Sequence, residues 1–441
     1  MKNRVILSIA AVLTCGLQAA TLRLTAPEVR SYACMIHDAA HNRMILFSGG
    51  SYRMYDGRVF NDTWAFNITD ETWSKLSPSG TAPAERIMAA AAYDNTGNRM
   101  IVFGGGGELG PQYNDVWALN LSLGVEAWSQ LSTSGTPPSP RTSATAMVDE
   151  YNNRLIVFGG EAGAGGMNTT YSLDLSTLIW SQLFPSGTAP CPRFEHSAVY
   201  DPIGHRMIIF GGRNDVHMND TWTLNLSAGA ESWQQLFPTG NPPNARGRHF
   251  CAYDHTNENM IIGLGYAYTG YYVLYSDIWK LDIDQQAWQQ ISYAGGIIPG
   301  RRGTVAAYSA PCQEVVLFGG DQPYASYFGE TCILSLDNLA VAESSEQTVA
   351  ARPSMTISGN PSRSPLHINV FLPKADNACL KIHDLTGRVV RTLFSDVAST
   401  GNYILQWDGT DQSNRRVPAG TYFLRLHIDG TPVTEKAVLV H

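Results

Sequence analysis

Short apolar runs, separated by turn residues, fill the chain between residues 21 and 340. Around residue 200 such runs cover 194–200, 205–210, 220–224 and 232–237, with Gly, Pro and Asn between them. Runs of this length, alternating or continuously apolar and bounded by turn residues, are typical of β-strands. Four in succession predict a four-stranded antiparallel meander.

The meander recurs six times in register. The second run of each copy ends in a double glycine or a variant of it, every 52 to 55 residues, at Gly49, Gly104, Gly159, Gly211, Leu264 and Gly319. An aromatic ring follows at Trp64, Trp117, Tyr171, Trp222 and Trp279, and a second tryptophan at Trp73, Trp128, Trp180, Trp233 and Trp288. One four-stranded sheet cannot bury both faces alone, whereas sheets stacked around an axis can. The repeat therefore predicts an all-β propeller whose tryptophans fill the wedges between sheets.

The sixth copy lacks the strand that carries the second tryptophan. Residues 21–25 (Thr-Leu-Arg-Leu-Thr) read as a short strand before the first copy. We predict that they supply the outer strand of the sixth sheet and close the ring. The alternative is that residues 339–343 close it from the C-terminal side.

An arginine before the first run, the double glycine, Asp-x-Trp and the later tryptophan recur together. With these features the region from 21 to about 340 resembles the kelch-repeat family. The resemblance implies a six-bladed kelch β-propeller. In kelch adaptor proteins, arginines at this repeat position help to bind acidic peptides. The sequence departs from the family pattern at residues 263–265 and 331–332, where blades five and six should be irregular.

A different pattern begins after residue 353. Residues 341–353 carry no rings or glycines and read as a linker. Strand-like runs then follow at 366–372, 379–384, 389–393, 403–408, 420–428 and 436–440, which is the pattern of a β-sandwich. Through Asn360-Pro361, Trp407-Asp408-Gly409 and the terminal Lys436-x-Val438-Leu439, residues 354–441 resemble the FlgD-like Ig domain and the sorting domain of type IX secretion cargo. That resemblance implies export and surface attachment; a passive spacer is the alternative.

The first twenty residues look like a signal peptide. Lys2 and Arg4 precede the short apolar run 5–13, and small residues follow, so we expect cleavage near Ala19 or Ala20. A lipoprotein attached at Cys15 is the minor alternative. No other run is long enough for a membrane-spanning helix. We therefore expect a secreted or outer-surface location.

Composition narrows the functional class. Charged residues make up 15% of the chain and aromatic residues 10%, and the net charge is −8, which does not favour nucleic-acid binding. The cysteines beyond Cys15 are irregularly spaced and without C-x-x-C, so we expect free thiols, no metal and no cofactor. We expect a monomer.

The candidate site is one mouth of the propeller. In an up-and-down blade the loop before strand one and the loop after strand two lie on the same face. The repeat arginines should therefore ring one mouth: Arg30, Arg86, Arg141, Arg193, Arg246 and Arg301. The tyrosines expected to bind ligand with them are Tyr266, Tyr268, Tyr271, Tyr272, Tyr324 and Tyr327. Guanidinium forks beside exposed rings suit a protein or glycan ligand, which we place over blades four to six. The alternative is that an arginine present in every blade is structural.

Catalysis is the competing interpretation. His196 and His249 share one repeat position, where kelch proteins often carry a structural histidine. The copper set of kelch oxidases and the E-x-x-x-D-x-x-x-H iron pattern are not evident. Epimerase-like chemistry at Arg193, Glu195 and Arg246 stays open, although Glu195 suits a salt bridge better. We interpret the chain as a binding module without catalytic residues, exported or anchored through its C-terminal domain. A kelch-type carbohydrate-active enzyme (epimerase, lyase or oxidase-like) and a purely structural surface protein are the alternatives.

Overall fold

The computed structural model describes residues 5–6, 26–51, 57–107, 110–163, 165–292, 298–323, 326–336, 340–341, 353–358, 360–363, 365–372, 376–398, 401–428 and 431–440. Within these ranges the chain forms β-strands and no α-helix, so the all-β prediction is confirmed. The same ranges contain no helix with the length and apolarity needed to cross a membrane.

Within the described residues, six sheets whose main strands are antiparallel, here called blades one to six, form the larger part of the fold. The first strand of the chain, β1 (Val5–Ile6), belongs to blade six. Blade one contains β2 (Cys34–Asp38), β3 (Arg43–Phe47), the short strands β4 (Gly50–Ser51) and β5 (Arg58–Val59), β6 (Thr63–Asn67) and β7 (Thr72–Leu76). Blade two contains β8 (Ala90–Asp94), β9 (Arg99–Phe103), β10 (Val116–Asn120) and β11 (Ala127–Gln130). Blade three contains β12 (Ser134–Gly135), β13 (Thr145–Asp149), β14 (Arg154–Phe158), the short strands β15 (Glu161–Ala162) and β16 (Gly165–Gly166), β17 (Thr170–Asp174) and β18 (Ile179–Leu183).

Blades four to six follow the same plan. Blade four contains β19 (Ser197–Asp201), β20 (Arg206–Phe210), β21 (Thr221–Asn225) and β22 (Ser232–Leu236). Blade five contains β23 (Phe250–Asp254), β24 (Asn259–Gly263), the short strands β25 (Tyr266–Tyr268) and β26 (Tyr272–Leu274), β27 (Ile278–Asp282) and β28 (Ala287–Ser292). Blade six contains β29 (Val305–Ser309), β30 (Glu314–Phe318), the short strands β31 (Asp321–Gln322) and β32 (Ser326–Tyr327), and β33 (Thr331–Ser335). The predicted four-strand pattern of blade four, and its order, are confirmed.

The blades form a closed ring. Their first strands contact one another in cyclic order, and β2 of blade one lies between β8 of blade two and β29 of blade six. One cluster of buried apolar side chains lies between each pair of neighbouring blades, including the pair formed by blades six and one. The core is thus six wedges between sheets.

The later tryptophans join neighbouring blades as the repeat predicts. Each ring packs on a phenylalanine at the end of the second strand of the preceding blade, with centroid distances of 4.6 Å (Trp128 on Phe47), 5.6 Å (Trp180 on Phe103), 4.7 Å (Trp233 on Phe158), 5.1 Å (Trp288 on Phe210) and 5.1 Å (Trp73 on Phe318). Trp73 belongs to blade one and Phe318 to blade six, so this contact completes the circle.

The fourth strand of blade six comes from the N-terminal end of the chain. β1 pairs with β33, through Val5 opposite Cys332 and Ile6 opposite Thr331. Residues 21–25, predicted to fill this position, lie outside the described residues. The C-terminal alternative is wrong in its described part, because β34 (Ala340–Val341) pairs with β28 and extends blade five.

A β-sandwich follows. Its strands are β35 (Ser354–Ser358), β36 (Leu366–Leu372), β37 (Asp376–His383), β38 (Val389–Ala398), β39 (Gly401–Trp407), β40 (Gly420–Ile428) and β41 (Thr431–Leu439). One sheet has the order β38-β37-β40-β41, and the other contains β39-β36-β35. The alternation of buried and less buried residues along β36 and β40 fixes the inward faces of the sheets, and Trp407 is fully buried between them. We call this unit the C-terminal module.

The module is not joined to the propeller by a linker alone. The β25–β26 hairpin of blade five adds to the edge of its sheet, with Tyr272, Val273 and Leu274 of β26 opposite Ile404, Tyr403 and Asn402 of β39. Ala267, Val273 and Tyr275 of this loop belong to the module's apolar core. The reading of residues 341–353 as a linker therefore describes only part of the connection, because a loop inserted in blade five also supplies a strand to the neighbouring sheet.

Candidate functional site

The six repeat arginines are buried parts of the blades. Their exposed fractions are between 0% and 2%. In Arg193, Nε donates to the carbonyl of Cys191 at 3.1 Å, Nη1 donates to the carbonyl of Gly211 at 3.0 Å, and both terminal nitrogens bind the Asp220 carboxylate at 2.7 and 2.8 Å. The Asp220 oxygen also accepts the indole N–H of Trp222 at 2.7 Å. This network connects the loop before β19 to the residue just before β21.

The other five arginines repeat this arrangement. Arg30, Arg86 and Arg246 bind the carboxylates of Asp62, Asp115 and Asp277, Arg141 donates to the Thr169 hydroxyl, and Arg301 pairs with Glu330. Burial opposes ionisation of Asp220, but the hydrogen bonds and charge of Arg193 outweigh it and lower the pKa of this carboxyl. The predicted ligand-binding role of Arg30, Arg86, Arg141, Arg193, Arg246 and Arg301 is therefore replaced by a structural one.

The mouth is instead bordered by the residues two positions after each arginine. These six residues, here called the rim, have left-handed φ angles of 58°, 55°, 52°, 59°, 53° and 67° at Tyr32, Met88, Ser143, Glu195, Arg248 and Gly303. Each rim amide donates to the rim carbonyl of the preceding blade, at 2.8 to 3.3 Å, so that a ring of six backbone hydrogen bonds surrounds the axis. The rim residues help to line a central cavity of about 340 Å³.

Charge is distributed unevenly around this mouth. In every blade the residue before the rim residue forms a backbone bridge with the third residue after the second main strand, which in blade one is the second repeat glycine, Gly50. Taken with the rim, these positions carry uncharged side chains in blades one and two and one carboxylate, Glu161, in blade three. In blades four to six they carry Glu195, Arg213, Arg248, Tyr266, Arg302 and Asp321. We call these six residues the mouth cluster.

Glu195 is the centre of the mouth cluster. Its carboxylate accepts Arg248 Nε at 2.6 Å, Arg213 Nε at 3.0 Å and the Tyr266 hydroxyl at 3.0 Å, and its side chain is 1% exposed. Burial favours the neutral form of Glu195, but the two guanidinium groups outweigh burial and lower its pKa. Burial, reinforced by the Glu195 charge, raises the pKa of Tyr266 to about 12. Glu195 is therefore ionised and Tyr266 is a hydrogen-bond donor at neutral pH.

Two further arginines complete the cluster. Arg248 Nη1 donates to the Tyr32 hydroxyl at 2.6 Å, and Arg302 Nε donates to Asp321 at 3.1 Å. Arg302 also lies over the ring of Tyr266, 5.2 Å from its centroid. Arg213, Arg248 and Arg302 face Glu195 and Asp321, and the charges of Glu195, Arg213 and Arg248 also act on Glu161 of blade three, so the mouth holds three positive and three negative groups. Guanidinium groups that keep part of their surface exposed can receive an anion.

The predicted tyrosines have different positions. Tyr266 is 4% exposed and bound to Glu195, whereas Tyr268 is 54% exposed. The Tyr271 ring packs on Phe394 of the module at 5.3 Å, and Tyr272 lies in the strand that pairs with β39. Tyr327 lies in β32, and Tyr324 lies outside the described residues. The structure therefore brings Tyr266 to the mouth cluster and assigns Tyr271 and Tyr272 to the contact with the module.

The two repeat histidines connect neighbouring blades. His196 Nε2 lies 2.9 Å from the Thr145 hydroxyl, and His249 Nε2 lies 2.6 Å from the Ser197 hydroxyl. Burial, and next the nearby Arg193, lower the pKa of His196 to about 3. Two neutral histidines in equivalent positions are structural. The described residues contain no group of three or more His, Cys, Asp or Glu side chains that could hold a metal ion.

Four members of the mouth cluster were not among the sequence-based candidates: Arg213, Arg248, Arg302 and Asp321. The cluster arginines do not recur in the other blades, so a search for recurring residues does not find Arg213, Arg248 and Arg302. A comparison of equivalent positions next to the arginine and the double glycine shows that all but one of the charged side chains there, Glu161 of blade three, belong to blades four to six. The aspartate of the Asp-x-Trp motif is the carboxylate partner of four repeat arginines, Arg30, Arg86, Arg193 and Arg246.

A closed ring of meander sheets with a polar mouth defines a β-propeller of the kelch class. The family profile described as the KLHDC2/KLHL20/DRC7 Kelch-repeats domain matches residues 31–265, and the chain belongs to this family. The profile described as the FlgD Ig-like domain matches residues 355–429 of the C-terminal module. Membership of the kelch family indicates a protein-interaction module.

Curated relatives and a solved structure agree with this assignment. The chain is 28% identical over 258 residues to Adagio protein 3 of Arabidopsis thaliana, covering 56% of this chain and 40% of the relative. It is 30% identical over 248 residues to Kelch domain-containing protein 10 of Rattus norvegicus, covering 54% and 57%. The matches thus span about half of the relatives' length. The solved structure of YjhT is similar in fold, with a TM-score of 0.54, 18% identity and coverage of 73% of this chain and 99% of that one.

Proposed function

We propose that the chain binds an anionic group of a partner protein at the mouth cluster. The observation that carries the proposal is the concentration of charge in blades four to six, which hold five of the six charged side chains at the positions that are equivalent in all blades; the sixth is Glu161 of blade three. A repeat that departs from its own pattern at a solvent-facing mouth does so where function outweighs packing. Kelch membership supports a protein partner, and an acidic glycan is the competing ligand.

The chemistry of the cluster favours binding over catalysis. Glu195 accepts three hydrogen bonds and has a lowered pKa, so it holds Arg248 and Arg213 in place and is a poor proton donor. The side chain of Arg213 is 32% exposed, which leaves it open to a carboxylate or another planar anion. The carbohydrate-active alternative would need a group that can release or accept a proton near neutral pH.

Substitution at the mouth tests the proposal. Arg213→Ala in the full chain should weaken binding to an array of acidic peptides at least tenfold, because a charged hydrogen bond is lost. The control is Arg58→Ala, since Arg58 lies on blade one with its side chain 56% exposed and pairs with Glu28. Equal affinity of both variants and the parent would contradict the proposal. Binding to an acidic-glycan array instead would identify a glycan receptor, and turnover there an enzyme.

We further propose that the chain is exported and that the C-terminal module serves as the sorting or anchoring domain. The signal-like N-terminus and the resemblance of residues 354–441 to type IX sorting domains support this. Fractionation of the native host tests it: the full chain should reach the outer surface, and a chain with its surface-exposed module residues exchanged should remain inside. Equal surface display of both would leave the module as a spacer.

A further inference from the structure

The β25–β26 hairpin connects the mouth cluster to the C-terminal module. Tyr266, the first residue of the hairpin, donates its hydroxyl to Glu195 at 3.0 Å. Across the hairpin Tyr266 lies opposite Leu274, and Leu274 lies opposite Asn402 of β39. Two adjacent strand pairings therefore separate the buried carboxylate of the mouth from the sheet of the module.

Both ends of the hairpin are held by specific contacts. At the mouth, the His217 ring meets the Tyr266 ring edge-on, with centroids 4.8 Å apart, and Arg302 lies over it. At the module, Val273 is 7% exposed within the module's core, and Tyr271 packs on Phe394. The hairpin thus has an electrostatic anchor at one end and an apolar anchor at the other.

Neither anchor is independent of the other. An isolated two-stranded hairpin is marginally stable in water. β25 and β26 are only three residues long each, so they depend on pairing with β39 for their order. Loss of that pairing leaves the hairpin bonded to the propeller only at its two ends, through the backbone of Tyr266 to Gly247 and that of Tyr275 to Gly265. Loss of the Tyr266 hydrogen bond to Glu195 in turn weakens the docking of the hairpin.

We propose that docking of the C-terminal module controls access to the mouth cluster. In the docked state Tyr266 occupies one oxygen of Glu195 and its ring covers Arg302. In the undocked state the hairpin between its two ends loses its order, the Tyr266 side chain leaves Glu195, and Glu195 and Arg302 become accessible, whereas Arg213 is partly exposed in both states. Coupling between two sites is reciprocal, so a ligand that displaces Tyr266 would loosen the module, and a partner that withdraws the module would open the mouth. The regulatory meaning of this switch rests on the proposed function of the mouth cluster.

Hydrogen exchange of the full chain without ligand tests the coupling from the mouth. Tyr266→Phe removes one hydroxyl and leaves the strand pairing in place. We expect exchange of the peptides that cover 270–276 and 401–405 to become ten- to a hundredfold faster, because a hydrogen bond to a buried charge is lost. The control is Tyr268→Phe, the same chemical change in the same hairpin at a residue that is 54% exposed, where rates should stay within about twofold. An unchanged rate in Tyr266→Phe overturns the proposal.

Nitration tests the coupling from the module. Val273→Asp places a charge in the module's core and should undock the hairpin, which fast exchange at 401–405 would verify. Tyr266 should then be nitrated by tetranitromethane at least tenfold faster than in the parent chain, while the exposed Tyr268 reacts in both. Protection of Tyr266 in an undocked chain overturns the proposal. Neither experiment uses a ligand, so failure of the switch and failure of the binding proposal are distinguishable.

Discussion

Arg193 and Glu195 are two residues apart and have opposite roles. Arg193 occupies a position that repeats in every blade, and its partners are two backbone carbonyls and Asp220. Glu195 occupies a position where each blade has a different residue, and its three partners come from the loops of blades four and five. At the scale of single residues, the arginine that recurs in every blade stabilises the propeller, whereas residues that differ from blade to blade border the mouth.

Substitution of a repeat arginine should affect stability and leave the mouth intact. Arg193→Ala leaves the Asp220 carboxylate without its buried partner, so the free energy of unfolding should fall by about 3–5 kcal/mol. Arg86→Ala should cost a similar amount, because Arg86 binds Asp115 in the same geometry. Denaturant unfolding of both variants is the measurement. Loss of ligand affinity without loss of stability in either variant would restore the repeat arginines to the mouth.

The buried histidines make stability depend on pH. His196 has a folded-state pKa of about 3, set by burial and then by Arg193, against 6.5 in the unfolded chain. Below pH 6.5 only the unfolded chain takes up this proton, so stability present at neutral pH is lost as the pH falls from 6.5 towards 3. At pH 5 the loss should reach about 2 kcal/mol for His196. Denaturation of His196→Asn at pH 7 and pH 5 should show a smaller difference than the parent; an equal difference would refute this origin.

The strands and loops differ in how far the sequence predicts them. Strand bounds such as Leu366–Leu372 and Gly420–Ile428 follow from local alternation and short turns, and the structure has them where the pattern indicates. The blade-five loop does not repeat, so its residues show no periodicity that predicts a strand partner about 130 residues away. Its tyrosines suggested a ligand surface, whereas part of that surface is occupied by the module. The placement of a ligand over blades four to six stays a prediction, whereas the repeat arginines expected to bind it are buried in the blades.

The element that transmits stability between blades is the later tryptophan. Trp233 is 4% exposed and its ring centroid lies 4.7 Å from that of Phe158 in the preceding blade. Trp233→Ala should therefore lower the free energy of unfolding by about 3–5 kcal/mol through a cavity between blades. Phe237→Ala, four residues later at a side chain that is 78% exposed, should change it by less than about 0.5 kcal/mol. Equal denaturation midpoints for the two variants would show that Trp233 does not join the blades.

At the scale of the whole molecule, two closures define the structure. The ring closes through Trp73 on Phe318, and the pairing of β1 with blade six adds to this closure in the chain that still carries its signal-like N-terminus. The module closes its own sheet with a strand from blade five, so its edge is paired within the chain instead of being exposed. A sequence pattern describes each sheet separately, whereas both closures depend on contacts between distant segments.

Removal of residues 354–441 should therefore leave a propeller whose β25–β26 hairpin is exposed and prone to self-association. Without β39, the backbone of β26 is unpaired and Val273 and Tyr271 lose their cover. Unpaired strand edges with apolar side chains associate, so sedimentation of the truncated chain should show concentration-dependent self-association, whereas the full chain stays monomeric. Val273→Lys in the truncated chain should restore the monomer, because a charged strand edge resists pairing. A truncated chain that is monomeric without this substitution would show that the hairpin does not depend on the module for its cover.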